Sequence, residues 1–294
     1  MGKSFHLRMW KVNLRICKGE DLPVMDVRTS DPYIVIQYQG KSFATTIKKS
    51  TLSPEWNENF SFQAEPPVYG NLYFTMYDKD AVKDDIMGNA FIPLHIVQPL
   101  KLHEIYLNLK SSDKSQFGGR VLVQLEVVPD GNQAFSSPPP EQKSGALFVK
   151  VNKAFGIPKT DLVGKTDPYV VLTLSTHDNN NKAKIKAEEK KKEKFKTGTN
   201  VFKTKTIQEN DEPVWNEKFK LEFQPKQYFR FLVYDEDVKF DDLVGFVSFP
   251  VSLLQEHLIL TASFQIVTIP GIKDGESHLN VTLYVGDTVD QPPF

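Results

Sequence analysis

Apolar residues occupy every second position through most of this chain, which is the period of a half-buried β-strand. Trp10, Val12, Leu14 and Ile16 alternate with polar neighbours, as do Val121, Val123, Leu125 and Val127, and later Leu279, Val281, Leu283 and Val285. Gly, Pro, Asn and Asp punctuate these runs. In the first part of the chain they predict strands near 10–17, 32–39, 42–48, 59–64, 71–77, 89–93, 104–109 and 120–128. Short, evenly spaced strands of this kind predict an antiparallel sandwich. The fold class is therefore all-β.

The pattern then repeats. DLPVMDVRTSDPYIVI (21–36) returns as GIPKTDLVGKTDPYVVL (156–172), SPEWNENFSF (53–62) as EPVWNEKFKLEF (212–223), and YDKDAVKDDIMG (77–88) as YDEDVKFDDLVG (234–245). Three matches in the same order mark two copies of one module. The expected organisation is a first domain over 1–129, a Pro- and Ser-containing linker over 130–144, a second domain over 145–287, and a tail over 288–294. The second copy carries an insertion near 175–200, where a lysine-rich segment interrupts the strand pattern. The sequence leaves open whether the two modules dock or swing on the linker.

Composition narrows the class. Apolar residues make up 40% of the 294 residues and aromatics 12%, enough for packed cores, which excludes a disordered chain. No apolar run approaches the length of a membrane-spanning helix, and the start, MGKSFHLRMW, lacks the apolar stretch of a signal peptide. Cys17 stands alone, so no intrachain disulfide framework exists and a reducing, cytoplasmic setting is expected. Basic and acidic residues nearly cancel, 36 against 37. That balance hides a segregation: from Lys182 to Lys205 ten lysines face three glutamates, so the rest of the second copy is acidic.

The acids recur in register. Asp26 and Asp31 flank the connection between the first two strands, and Asp78, Asp80 and Asp85 lie between the fifth and sixth. Both connections run from an odd to an even strand, so a sandwich brings them to one end. The second copy offers Asp161, Asp167, Asp235, Asp237 and Asp242 in the same places. Five converging carboxylates repel one another unless hard cations sit among them, and calcium takes six to eight oxygen ligands. Asp also favours strand ends and turns on its own account, but matched sets in two copies favour a shared cation-binding role. Asp84 and Asp241, beside these sets, are expected to be solvated loop charges. Trp56 and Trp215 are expected to pack at a strand start, and Cys17 to be a core or half-buried thiol.

In these motifs (D-x₄₋₅-D-P-Y, P-x-W-N-E and D-x-D-x₄-D-x-x-G) the chain resembles a tandem pair of C2 domains, the calcium- and phospholipid-binding module, over nearly its whole length. The resemblance implies two eight-stranded Greek-key sandwiches of the type II strand order. It also implies two or three Ca²⁺ ions per module, held by the aspartates of each copy, and binding to anionic phospholipids.

The loop tips fit such a partner. Val27, Arg28, Val82 and Lys83 in the first copy, and Leu162, Val163, Lys165, Val238, Lys239 and Phe240 in the second, set apolar residues beside cations on loops that would otherwise be polar. The insert, with Lys190, Lys191, Lys192, Lys194 and Lys196, resembles the phosphoinositide-binding strand of several C2 domains. A solvated low-complexity loop is the competing reading. Nucleic acid is not expected, since interleaved stacking aromatics are missing.

The expected function is calcium-dependent binding to phosphatidylserine-containing or phosphoinositide-containing membranes. The chain would act as a monomeric cytoplasmic adaptor in trafficking, tethering or signalling, recruited peripherally to the bilayer. The alternative is a calcium-independent protein-interaction scaffold using the insert. No catalytic signature is present and two modules fill the chain, so an enzyme is not expected.

Overall fold

The computed structural model describes residues 8–113, 115–141, 143–158, 165–176, 201–238, 241–272, 276–289, 291 and 294. Among these residues there are strands, turns and single 3₁₀ turns, with no α-helix, and no helix is long and apolar enough to cross a membrane. In strands such as Pro32–Tyr38 and Asn71–Asp78 the alternation becomes one buried face and one less buried face, whereas Tyr228–Asp235 and Asp242–Pro250 are buried on both.

The first module contains β1 (Trp10–Glu20), β2 (Pro32–Tyr38), β3 (Lys41–Ala44), β4 (Glu55–Ala64), β5 (Asn71–Asp78), β6 (Asp85–Pro93), β7 (His103–Asn108), β8 (Lys110–Ser111) and β9 (Arg120–Pro129). The second repeats them as β10 (Gly145–Phe155), β11 (Pro168–Ser175), β12 (Val201–Lys203), β13 (Val214–Phe223), β14 (Tyr228–Asp235), β15 (Asp242–Pro250), β16 (Leu260–Gln265), β17 (Val267–Thr268) and β18 (His278–Gly286). The sheets run β4-β1-β9-β7 and β3-β2-β5-β6-β8, then β13-β10-β18-β16 and β12-β11-β14-β15-β17. Every ladder is antiparallel.

Each module thus has nine strands rather than the expected eight. The additional one, β8 or β17, is two residues long, too short to leave a period in the sequence. It pairs through Gly88 in one copy and Gly245 in the other. A Cβ there would lie 2.7 Å from the carbonyl oxygen of Lys110, or 2.6 Å from that of Val267, which is why the D-x-x-G motif ends in glycine.

The P-x-W-N-E motif is architectural. Trp56 and Trp215 are buried, and their indole N–H groups donate to the carbonyls of Thr46 and Lys205 at 2.8 and 2.9 Å. Two residues on, Glu58 accepts from the Thr46 amide and Glu217 from the Lys205 amide, at 3.0 and 2.8 Å. The intervening Asn57 and Asn216 adopt positive φ, a conformation Asn tolerates well. Cys17 sits half-buried at a break in register between Ile16 and Lys18, and burial pushes its thiol pKa up.

The segment after β9 is strapped to the first module. Fully buried Glu126 accepts from Asn13 Nδ2 at 2.9 Å and from the amides of Phe135 and Ser137 at 2.5 and 3.3 Å. The Arg15 guanidinium stacks 4.5 Å from the Phe135 ring centroid, and the Leu102 amide donates to Pro138 O. Further on, Lys143 pairs with Glu256 at 2.7 Å.

Glu126→Leu strips the Phe135 and Ser137 amides of their acceptor, so urea denaturation should show a loss of about 2–4 kcal/mol. Limited proteolysis of that variant should cut within 130–144. A pH test concerns His103, which is buried, with Nε2 2.8 Å from the Gln98 carbonyl and Nδ1 without a partner. Burial holds its imidazole below the ordinary pKa. As pH falls below roughly 6.5 the unfolded chain takes the proton first, so stability should drop. His103→Gln should flatten that part of the profile of denaturation midpoint against pH.

Candidate functional site

Register brings the acids together. In the first module Asp78 lies opposite Asp85 on the β5–β6 ladder and opposite Pro32 on the β2–β5 ladder. In the second, Asp235 faces Asp242 and Pro168 in the same way. The D-P-Y aspartate precedes that proline, so its backbone arrives beside the first acid of D-x-D. The Asp31 amide donates to Asp78 Oδ1 at 2.5 Å, and the Asp167 amide to Asp235 Oδ1 at 2.6 Å. The stitch is completed by the Lys79 amide donating to Asp31 O, and the Glu236 amide to Asp167 O. The D-P-Y side chains are oriented from behind: Asp31 Oδ1 accepts from the Ser50 amide at 2.7 Å and Asp167 Oδ1 from the Glu209 amide at 2.5 Å.

The first loop is closed separately. Ser30 Oγ donates to Pro23 O, and Thr166 Oγ1 to Pro158 O. Asp26 stands on the part between, with its amide donating to Thr29 O.

Electrostatics record the crowding. Burial raises the Asp78 pKa, and the nearby charges of Asp26, Asp80 and Asp31 add to it. Asp78 is 1% exposed, and its Oδ2 has no hydrogen-bond partner. Asp80 is likewise raised, by desolvation and then by Asp85, Asp26, Asp84 and Asp31. The five expected acids of the first copy therefore lie within electrostatic reach of one another. Among the described residues, no three His, Cys, Asp or Glu side chains are arranged as a metal-holding group. The donor set nevertheless suits a hard cation, being all carboxylate oxygens with one buried oxygen unsatisfied. Asp167, Asp235, Asp237 and Asp242 of the second copy are described, whereas Asp161 lies outside the described residues.

Asp84 and Asp241 differ from their expected role as solvated charges. Tyr33 Oη donates to Asp84 Oδ2 and Tyr169 Oη to Asp241 Oδ2, each at 2.6 Å. The second carboxylate oxygens accept from the amides of Asp80 and Asp237 at 3.2 Å. These acids hold the third loop in shape. The Tyr33 bond and the Lys79 ammonium, 2.9 Å away, keep the Asp84 pKa below the usual carboxylate range. Burial followed by the Asp84 bond pushes the Tyr33 phenol up to about 12. The same two tyrosines stack on Tyr77 and Tyr234 at centroid distances of 5.4 and 5.3 Å. The D-P-Y tyrosine and the doubled D-D recur in both copies, but only the fold brings them together.

At the tips, Val27, Val82 and Val238 are 95%, 98% and 110% exposed, and Arg28 and Lys83 are exposed beside them. Lys165 is exposed but pairs with Asp211 at 3.0 Å. Leu162, Val163, Lys239, Phe240 and the lysines Lys190, Lys191, Lys192, Lys194 and Lys196 lie outside the described residues. The next described cation after the insert, Lys203, has Nζ 3.5 Å above the Tyr169 ring and pairs with Glu236.

Known proteins are similar to the chain in sequence. The chain is 26% identical over 281 residues to multiple C2 and transmembrane domain-containing protein 1 of Mus musculus, covering 86% of this chain and 27% of that protein. It is 28% identical over 217 residues to synaptotagmin-7 of Homo sapiens, covering 71% of this chain and 46% of that protein. The chain thus spans less than half the length of either relative. Among solved structures, the paired C2 domains of extended synaptotagmin 2 cover 97% of this chain and 93% of their own at 20% identity, with a TM-score of 0.39. The family model for the C2 domain matches residues 10–109 and again 145–266, so the chain belongs to the C2 domain family.

Proposed function

We propose that the protein binds anionic phospholipid membranes in a calcium-dependent manner, as an adaptor in trafficking or signalling and not as an enzyme. The observation that carries this reading is the twice-built acidic end. In each module a loop-one amide is stitched to the first D-x-D carboxylate, beneath an exposed valine tip. Asp26, Asp31, Asp78, Asp80 and Asp85 would hold the ions in one module, and Asp161, Asp167, Asp235, Asp237 and Asp242 in the other. The proposed module boundaries are 1–129 and 145–287.

Bound calcium would supply positive charge and coordination positions for lipid oxygens at an end that otherwise repels an anionic leaflet. The remaining work belongs to the chain's own residues. Val27, Val82 and Val238 offer apolar area to the headgroup–acyl boundary. Arg28 and Lys83 add about 1 kcal/mol each near a phosphatidylserine surface. Relatives whose names place them among synaptotagmins and multiple-C2 proteins support a membrane role.

Sedimentation with phosphatidylserine vesicles tests the reading. Wild type should pellet with calcium and stay in solution with chelator; equal pelleting under both conditions would refute calcium dependence. Asp78→Asn with Asp80→Asn, and Asp235→Asn with Asp237→Asn, should each weaken pelleting, and the combined variant should lose it.

Calcium should raise the melting temperature of wild type by mass action, and chelator should reverse the rise. The combined variant should melt at the same temperature with and without the ion. Without calcium, Asp80→Asn should melt no lower than wild type near neutral pH. The raised Asp80 pKa means that its charged form opposes folding there, and that stability from this group grows only as pH falls.

A further inference from the structure

The two modules meet through the same surface on each. Ile96, Val97 and Gln98 lie at and just after the 3₁₀ turn that follows β6, and Leu253, Leu254 and Gln255 occupy the same places after β15. Val97 and Leu254 form an antiparallel bridge. The Gln98 amide donates to Leu253 O at 2.8 Å, and the Gln255 amide returns the bond to Ile96 O at 2.9 Å. These bonds are exchanged between equivalent residues, which is the signature of an isologous, twofold contact.

The strand-to-strand contacts across the seam follow the same axis. Strand β6 touches β16 as β15 touches β7, and β8 touches its own counterpart β17. The strands brought together include one edge strand of each of the four sheets, β7, β8, β16 and β17. Burying such edges removes unpaired ladder groups from solvent. Side chains bridge the seam: Gln265 Nε2 donates to Asn89 Oδ1 at 2.5 Å, and Phe117 packs on the apolar cluster of Tyr169, Leu232 and Phe246.

Direction along the seam fixes where the acidic ends point. In the first module β6 leaves the acidic end at Asp85 and runs away from it through Asn89 and Phe91 towards His95. In the second, β16 runs towards the acidic end, since the Ile266 amide donates to Ser277 O and Ser277 Oγ donates to Gly156 O, where the first loop begins. Asn89 meets Gln265, and His95 Nε2 meets Thr261 O at 3.0 Å. Near end therefore lies by near end, and far end by far end. The linker between the modules is itself strapped down, by Glu126 on one side and by the Lys143–Glu256 pair on the other.

We propose that the two modules form one rigid, pseudo-twofold body whose acidic ends face the same way. The chain is then a bivalent clamp on a single anionic bilayer rather than a bridge between two. The clamp rests on the membrane reading above; the rigid geometry does not. Once one end binds, the other is held over the same leaflet at an effective concentration on the order of millimolar, without a search by a loose linker.

Spin labels test the geometry without lipid. Nitroxides on Val82→Cys and Val238→Cys, in a Cys17→Ser background, should give one narrow distance distribution by pulsed electron resonance. Asn89→Lys with Gln265→Lys sets two cations in the seam without touching either core or either acidic end, and should broaden it. A broad distribution in the parent would overturn the rigid body.

Vesicle scattering tests the clamp. Unlabelled protein should pellet with phosphatidylserine vesicles and calcium while leaving their size unchanged at sparse coverage. The seam variant should pellet too, but cluster vesicles at least severalfold. Clustering by the parent would overturn the clamp. Failure of the parent to pellet would remove the membrane reading, and the distance distribution would then decide the rigid body on its own.

Discussion

Two carboxylates face each other across the last rung of a ladder in each sandwich, Asp78 opposite Asp85 and Asp235 opposite Asp242. Like charges directly opposite on adjacent strands are unfavourable. The pairing survives because the ladder behind it is anchored in apolar packing: Leu72, Phe74 and Met76 of β5 are essentially inaccessible, as are Phe229, Phe231 and Val233 of β14. Burial in the core offsets the repulsion at the acidic end. Any group that relieved this repulsion while binding only the folded form would add to the stability of the fold by mass action.

The residues around the acids divide into those that bear charge and those that place it. Backbone amides from Asp31 and Asp167 fix the first D-x-D carboxylate, amides from Ser50 and Glu209 fix the D-P-Y carboxylate, and the tyrosines fix the third loop through Asp84 and Asp241. Most of these contacts use main-chain groups. That explains how loops of different sequence at their tips, DAVKDD against DVKFDD, share one frame.

The strand pattern and the recurring acids are legible in sequence because both follow local rules: period two for a half-buried strand, and a fixed spacing for residues on one loop. Boundaries shift where local rules end. The fourth strand begins at Glu55 rather than near residue 59, because its ladder with β1 continues past the bulge to Lys18 opposite Glu55, where the largely polar residues 55–58 give no apolar alternation to read. The roles of Asp84 and Asp241 escape the sequence for the same reason, since each depends on a tyrosine about fifty or more positions away in the chain. The seam is invisible altogether: Gln98 and Gln255 are ordinary polar residues until the fold places their amides against Leu253 and Ile96.

The seam also limits how large such an assembly becomes. A self-complementary patch is used up when it meets its equal, so the contact closes and does not propagate. Within one polypeptide, the covalent link removes the concentration dependence that two separate modules would face in making such a contact. Two is thus a saturated number for this surface. A third copy added to the chain would find its β7-type and β8-type edges with no free counterpart, and would have to hang beside the pair by some other contact or by none.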